Sequence, residues 1–163
     1  PISPSVMQAL AGANLILNLS ASNDYVGKAK DREKLIQAQS NKCICAYVYT
    51  SAGFGESTTD LAFGGNVFIY EKGDLIASNK EYSIENKLVV ADIDLEKISV
   101  SRQKNGTFAD NQLRFANDYE KVYFNTSKSI EGENIYRTIS CTTLNQLKED
   151  RFVSRYTKGS RKQ

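Results

Sequence analysis

Near the amino terminus, Ser20, Ser22, Asn23 and Asp24 follow an apolar run, and Lys28 stands where a charged helix is expected to begin. In α/β proteins, ligands contact the loops at the carboxyl ends of strands, so the hydroxyl of Ser22 is a candidate for binding. A lysine at a helix start opposes the helix dipole, which favours anions there. From spacing alone two explanations stay open: Lys28 pairs with a carboxylate ligand, or it points into solvent. A second stretch, GFGESTTD (Gly53–Asp60), invites comparison with a phosphate loop. It lacks the lysine of that motif and opens no helix. An ordered loop is expected instead, its Ser and Thr hydroxyls satisfying local backbone groups. Glu56 and Asp60 could work as an acid/base pair. With no nucleophile near them in sequence, structural hydrogen bonding is the better expectation.

The chain contains no histidine. That excludes Ser-His-Asp and Cys-His catalysis within it, leaving carboxylates, lysines, tyrosines or a thiol without imidazole. The three cysteines are Cys43, Cys45 and Cys141. An odd number without close-spaced framework reads as reduced intracellular thiols. Cys43 and Cys45 are expected on one face of a strand. They read as small buried hydrophobes rather than a metal or redox pair, so no metal site is expected.

The elements that must position these residues follow from the pattern. Ser3-Pro4 is a helix start, and Gly12 suits its end. NLILNLS (14–20) reads as a buried strand. A helix is expected from about Lys28 to Asn41, with Ala29, Leu35, Ile36 and Ala38 inward and Asp31, Arg32, Glu33 and Lys34 mostly outward. CICAYVYT (43–50) reads as a strand covered on both sides. NVFIYEKGDLIAS (66–78) reads as a hairpin turning at Gly73. KLVVADI (87–93) is a further expected strand, and Asp94 caps a helix to about Arg102. Beyond Lys104 the signal weakens. YEKVYFN (119–125) and IYRTISCTT (135–143) alternate as strands do. The basic end, 151–163, reads as a solvated linker more than an anion-binding tail. The rhythm is that of an α/β layer with mixed strand directions.

The 163 residues suffice for one ordinary domain. A content of 40% hydrophobic and 25% charged residues is that of a soluble globular protein. A net charge of +2 gives no general reason to expect nucleic acid or an anionic membrane as partner. No apolar run is long enough to span a bilayer and no signal peptide opens the chain, so the cytoplasm is the expected location. The start at Pro1, without an initiator methionine, suggests that a preceding stretch was removed or never included.

Two long stretches carry a resemblance. ALAGANLILNLSASNDYVGKAKDREKL (9–35) and CAYVYTSAGFGESTTDLAFGGNVFIYEKGDLIA (45–77) closely resemble the glutaminase domain of bacterial glutamine-dependent NAD synthetases, in the nitrilase, or carbon–nitrogen hydrolase, superfamily. NGTFADN (105–111) belongs to the same match. The likeness implies that residues 1–111 are the carboxyl-terminal half of a nitrilase-like glutaminase domain. Residues 112–163 match poorly and are expected to be an extension or linker toward a missing synthetase domain. The implied fold is part of an α-β-β-α sandwich.

The resemblance also implies a mechanism and what this chain leaves out of it. The family hydrolyses the glutamine side-chain amide with a Glu-Lys-Cys triad. All three positions precede Pro1, and none of Cys43, Cys45 and Cys141 occupies the nucleophile's place. No catalytic residue is therefore expected here, and the isolated chain is expected to be inactive. The S-G-G-x-D-S motif of the synthetase domain is absent too. Ser22 and Lys28 match the positions that contact glutamine, Lys28 through its α-carboxylate. The implied parent is a ligase using glutamine, ATP and Mg2+ to amidate deamido-NAD, with no cofactor in this chain. The alternatives are part of a free-standing amidase of the superfamily, or a non-catalytic oligomerisation remnant. Half a sandwich would expose LILNL and CAYVY surfaces, so a homo-oligomer or a covering partner is expected.

Overall fold

An apolar run, a polar loop and a helix, followed by a second apolar run, make the unit that organises this chain. Leu15–Ser20 forms β1, Lys28–Lys42 forms α2, and Ala46–Ser51 forms β2; the preceding Pro4–Leu10 is α1. β1 and β2 pair in parallel, from Leu15 opposite Ala46 to Ser20 opposite Ser51. Parallel neighbours require a crossover, and α2 supplies it. In the computed structural model, residues 2–56, 60–79, 83–116 and 119–124 are described. The chain divides into two compact units, Pro1–Val122 and Tyr123–Gln163; the elements below all lie in the first.

The sheet continues with β3 (Val67–Glu71), antiparallel to β2, and β4 (Asp74–Ser78), antiparallel to β3, in the order β1-β2-β3-β4. The hairpin turns at Lys72-Gly73, as expected, with both residues at positive φ (53° and 90°). That is the two-residue turn whose twist suits antiparallel strands. A side chain at Gly73 would also bring its Cβ to 2.9 Å from the Asn41 Cβ. One face of the sheet buries Ile16, Tyr47, Tyr49, Phe68 and Tyr70 against Ala9, Ile36, Cys43 and Cys45. The aromatic rings step across the strands, Tyr49 to Phe68 at 6.3 Å and Phe68 to Tyr70 at 6.4 Å. On the other face, Glu71 is wholly buried, paired with Lys97 at 2.9 Å, and it accepts the Asp94 amide. Asp94 caps α3 (Leu95–Gln103) by accepting from the Lys97 amide at 2.8 Å.

Several expectations give way. β1 is not buried throughout: Leu15, Leu17 and Leu19 are 39%, 67% and 85% exposed, because only its Ile16 side faces the helices. In α2 the inward face is Arg32, Ile36 and Ser40, whereas Leu35 and Ala38 lie outward. Cys43 and Cys45 do not lie in a strand. Cys43 is the C-cap of α2, and β2 begins at Ala46. Both are nonetheless buried free thiols, as expected of small hydrophobes. Residues 88–93 alternate exposed and half-buried side chains, but 87–93 join no ladder among the described residues, since alternation alone supplies no partner for the backbone. Residues 119–124 form no strand either. The remainder of 119–125 and all of 135–143, Cys141 and 151–163 fall outside the described residues. Residues Gly106–Phe115, where the pattern is weak, form α4, capped by Asn105 accepting from the Phe108 amide at 2.9 Å.

The link from α2 into β2 is a strained corner. The Cys45 amide donates to Ser40 O and the Ile44 amide to Asn41 O. This is a Schellman closure, which normally takes glycine at its left-handed position. Here that position is Ile44, at φ 45°. Arg102 of α3 holds the corner: its Nε donates to Ile44 O, and Nη2 to both Cys43 O and Ala13 O. Its Nη1 donates to Asn14 Oδ1 at 2.7 Å.

Candidate functional site

Because β1 and β2 are parallel, both end on one side of the sheet, and the loops leaving them gather there. The loop after β1 runs from Ala21 to Gly27, the N-cap of α2, which contributes no side-chain cap. Ser22 and Lys28 come together in a cavity of about 380 Å³. Its walls include Asn18 and Ser20 of β1, Tyr47 and Tyr49 of β2, and Asp31 and Arg32 of α2. The Lys28 ammonium donates to Asn23 O at 2.5 Å and to Asn23 Oδ1 at 2.9 Å, and it lies 5.0 Å from the Tyr25 ring centre. It therefore bends back over the loop rather than extending into solvent. An ammonium has three donors, and these bonds use two.

Sequence reasoning placed Arg32 outward, yet it is 7% exposed. It forms an ion pair with Asp24 at 3.1 Å, donates to Asn66 Oδ1 and to the carbonyls of Ser22 and Asn23, and lies over the Tyr49 ring. The signal available in the sequence was spacing: Arg32, Ile36 and Ser40 recur every four residues, the helical near-repeat that marks one face. The Tyr47 hydroxyl accepts from Asn18 Nδ2 at 2.9 Å. The buried hydroxyls of Tyr49 and Ser51 have no hydrogen-bond partner among the described residues.

Glu56 and Asp60 are exposed and stand outside this cavity. Cys43 and Cys45 lie at the opposite end of α2, a helix of 15 residues and so roughly 20 Å long. Cys45 shares its proton with the Cys43 sulfur, which together with burial holds the Cys45 thiol far above the usual range and unreactive. A larger cavity, about 790 Å³, lies between α1, α4 and the carboxyl end of α2, among Val6, Leu10, Phe108 and Phe115. The smaller one gathers more convergent polar groups and is the better candidate for recognising a polar ligand. Among the described residues, no group of three or more Cys, Asp or Glu side chains is placed to hold a metal ion. No helix among them is long and apolar enough to cross a membrane.

No family model matches the chain. A glutamine-dependent NAD(+) synthetase of Mycobacterium leprae is 45% identical over 114 residues, 70% of this chain and 17% of that protein. A Mycobacterium tuberculosis protein of the same description is 45% identical over 112 residues, 69% of this chain and 16% of its own. A putative glutamine-dependent NAD(+) synthetase of Schizosaccharomyces pombe is 26% identical over 140 residues, 84% of this chain and 20% of its own. The chain thus spans less than a quarter of the length of these relatives. Among solved structures, a carbon-nitrogen hydrolase from Helicobacter pylori G27 superposes with a TM-score of 0.54 at 19% identity, over 68% of this chain and 42% of that one. The fold expected from the sequence, part of a carbon–nitrogen hydrolase sandwich, is therefore the observed one.

Proposed function

We propose that this chain, which matches a segment of glutamine-dependent NAD synthetases, is the carboxyl-terminal half of the glutaminase domain of such an enzyme, working in the cytoplasm. Its task is to bind glutamine while a Glu-Lys-Cys triad carried by the sequence before Pro1 hydrolyses the side-chain amide. The ammonia released would amidate deamido-NAD at the expense of ATP. ATP and its Mg2+ are assigned to the synthetase part of the whole protein.

The observation that carries this reading is the convergence of Ser22 and Lys28 in one cavity at the carboxyl ends of parallel strands. The unspent Lys28 donor faces the need of an α-carboxylate, and the amino end of α2 adds its partial positive charge. The Ser22 hydroxyl can give or accept one further bond. Binding here leaves the amide of the substrate for the triad, while Cys43 and Cys45 stay remote at the other end of α2.

The test uses the full-length protein, with Lys28→Ala and Ser22→Ala assayed on glutamine and on ammonium chloride. Losing a charge-assisted hydrogen bond costs roughly 1.5–3 kcal/mol. That is about a ten- to hundred-fold drop in kcat/KM for glutamine in Lys28→Ala. Ser22→Ala should cost less, on the order of 1 kcal/mol. Ammonia-dependent synthesis should survive both. Unchanged glutamine kinetics in Lys28→Ala would make it a helix-start lysine without a ligand, and equal losses with both nitrogen sources would indicate misfolding.

A further inference from the structure

Ser22 and Asn23 lie in a short polar loop, and what fixes their conformation is the Arg32 guanidinium behind them. Nη2 donates to Ser22 O and to Asn23 O, each at 3.3 Å, and stands 3.1 Å from the Asp24 carboxylate. Nη1 donates to Asn66 Oδ1 at 2.5 Å, on the segment that leads into β3. Asp24 is gripped from that same segment: its amide donates to Ala62 O at 2.7 Å. Gly64 leaves room for its carboxylate, since a Cβ there would fall 1.9 Å from Asp24 Oδ2. The guanidinium is closed off from below by the Tyr49 ring, 5.9 Å away.

We infer that Arg32 is a positioning residue of the glutamine subsite, acting through Ser22 and, by way of Asn23, through Lys28. The inference rests on the glutamine reading of this cavity. The bonds explain why an arginine is needed. A planar fork reaches two loop carbonyls, a carboxylate and an amide oxygen at once, and a lysine ammonium cannot reproduce that geometry. The same atoms explain the route of action. Asn23 O takes a bond from Arg32 and another from Lys28, so the peptide that Arg32 fixes is the one from which Lys28 is aimed. The clasp also joins the loop after β1 to residues 62–66, through Arg32 to Asn66 and Asp24 to Ala62.

The test is Arg32→Lys in the full-length protein, with Asp24→Asn as a near-isosteric second variant should the first fail to fold. For Arg32→Lys, kcat/KM for glutamine should fall about tenfold, mainly through KM, with the ammonium-dependent rate retained and the melting temperature lowered, since buried acceptors lose donors. Asp24→Asn should move in the same direction by less. Because Arg32 acts through Ser22, the double variant Arg32→Lys with Ser22→Ala should lose less than the product of the single losses. A purely structural arginine predicts equal losses with glutamine and ammonia, and an independent contact predicts multiplicative losses; either result overturns the inference. If Ser22→Ala and Lys28→Ala impair glutamine use while Arg32→Lys and Asp24→Asn do not, the positioning role fails and the glutamine reading stands. If none of the four variants has an effect, the glutamine reading itself fails.

Discussion

Lys28 and Arg32 are one turn apart at the positive end of α2, where the dipole disfavours both, and each is held by the loop that precedes the helix. Spacing pointed to Ser22 and Lys28 because both follow from a strand's end and a helix's start, which are local signals. Arg32 was hidden because a charged side chain in a charged run is ordinarily solvated. Its burial depends on Asp24 and Asn66, the second of which is brought near only by the β2–β3 connection. A second residue couples the helix to the sheet. The Tyr70 hydroxyl donates to Glu33 Oε1 at 3.1 Å, and burial, with the Glu33 carboxylate beside it, pushes its phenol up to about 12. Below about pH 10, the ordinary tyrosine value, both folded and unfolded chains keep this proton and it contributes no pH dependence. Between about pH 10 and 12 the unfolded chain releases it while the folded one does not, so stability falls as pH rises across that window. Denaturant midpoints at pH 9 and pH 11 should show a smaller decline in Tyr70→Phe than in the parent protein. An identical decline would mean that other groups govern it.

At the scale of elements, the features legible in sequence were those closed by neighbours. The Lys72-Gly73 turn and the Asp94 cap need only a few consecutive residues, and both form. Residues 87–93 have a strand's alternation but find no partner among the described residues, which no local pattern reveals. α4 was missed because its evidence is one cap, Asn105, and one buried apolar side chain, Phe108. The corner at Ile44 depends on contacts distant in sequence. A β-branched residue in the left-handed region is costly, and Arg102 offsets that cost by bonding Ile44 O, Cys43 O and Ala13 O together. Replacing Arg102 with methionine should keep much of its packing but leave those carbonyls short of donors. A loss of about 3 kcal/mol in unfolding free energy is expected from such a buried network. Chemical denaturation would measure it, and a loss under about 1 kcal/mol would show that the corner stands without α3.

At the scale of the whole molecule, the sheet is covered unequally. α1 and α2 close one face over Tyr47, Tyr49, Phe68 and Tyr70. On the opposite face β1 presents Leu15, Leu17 and Leu19 to solvent, while α3 closes only over the end near Glu71. The expectation of exposed LILNL side chains holds for these leucines. It does not extend through CAYVY, whose Cys45, Ala46, Tyr47 and Tyr49 are buried and whose Val48 is half-buried. The α/β class was legible from the alternation of elements, and the sandwich from the resemblance. The uneven cover was only partly so, since which side of a strand faces a helix is decided by register and not by composition.

The position of β1 at the sheet's edge also bears on how the molecule breathes. β2, β3 and β4 follow one another as antiparallel neighbours, whereas among the described residues β1 is joined only to β2, across a helical crossover, with three leucines exposed. Local opening starts where few buried contacts hold a segment, so β1 should part from the sheet more readily than the strands beside it. Amide hydrogen exchange should therefore be faster at the bonded positions of Leu15–Ser20 than in β2 and β3. Because Ser22 is tethered to the end of β1, a ligand seated at Ser22 and Lys28 binds only the closed form and must slow that exchange by mass action. In the full-length protein, glutamate, which keeps the α-carboxylate of glutamine but has no amide to hydrolyse, should protect β1 selectively. Protection spread evenly over all four strands, or none at saturating glutamate, would show that the edge and the cavity are not linked.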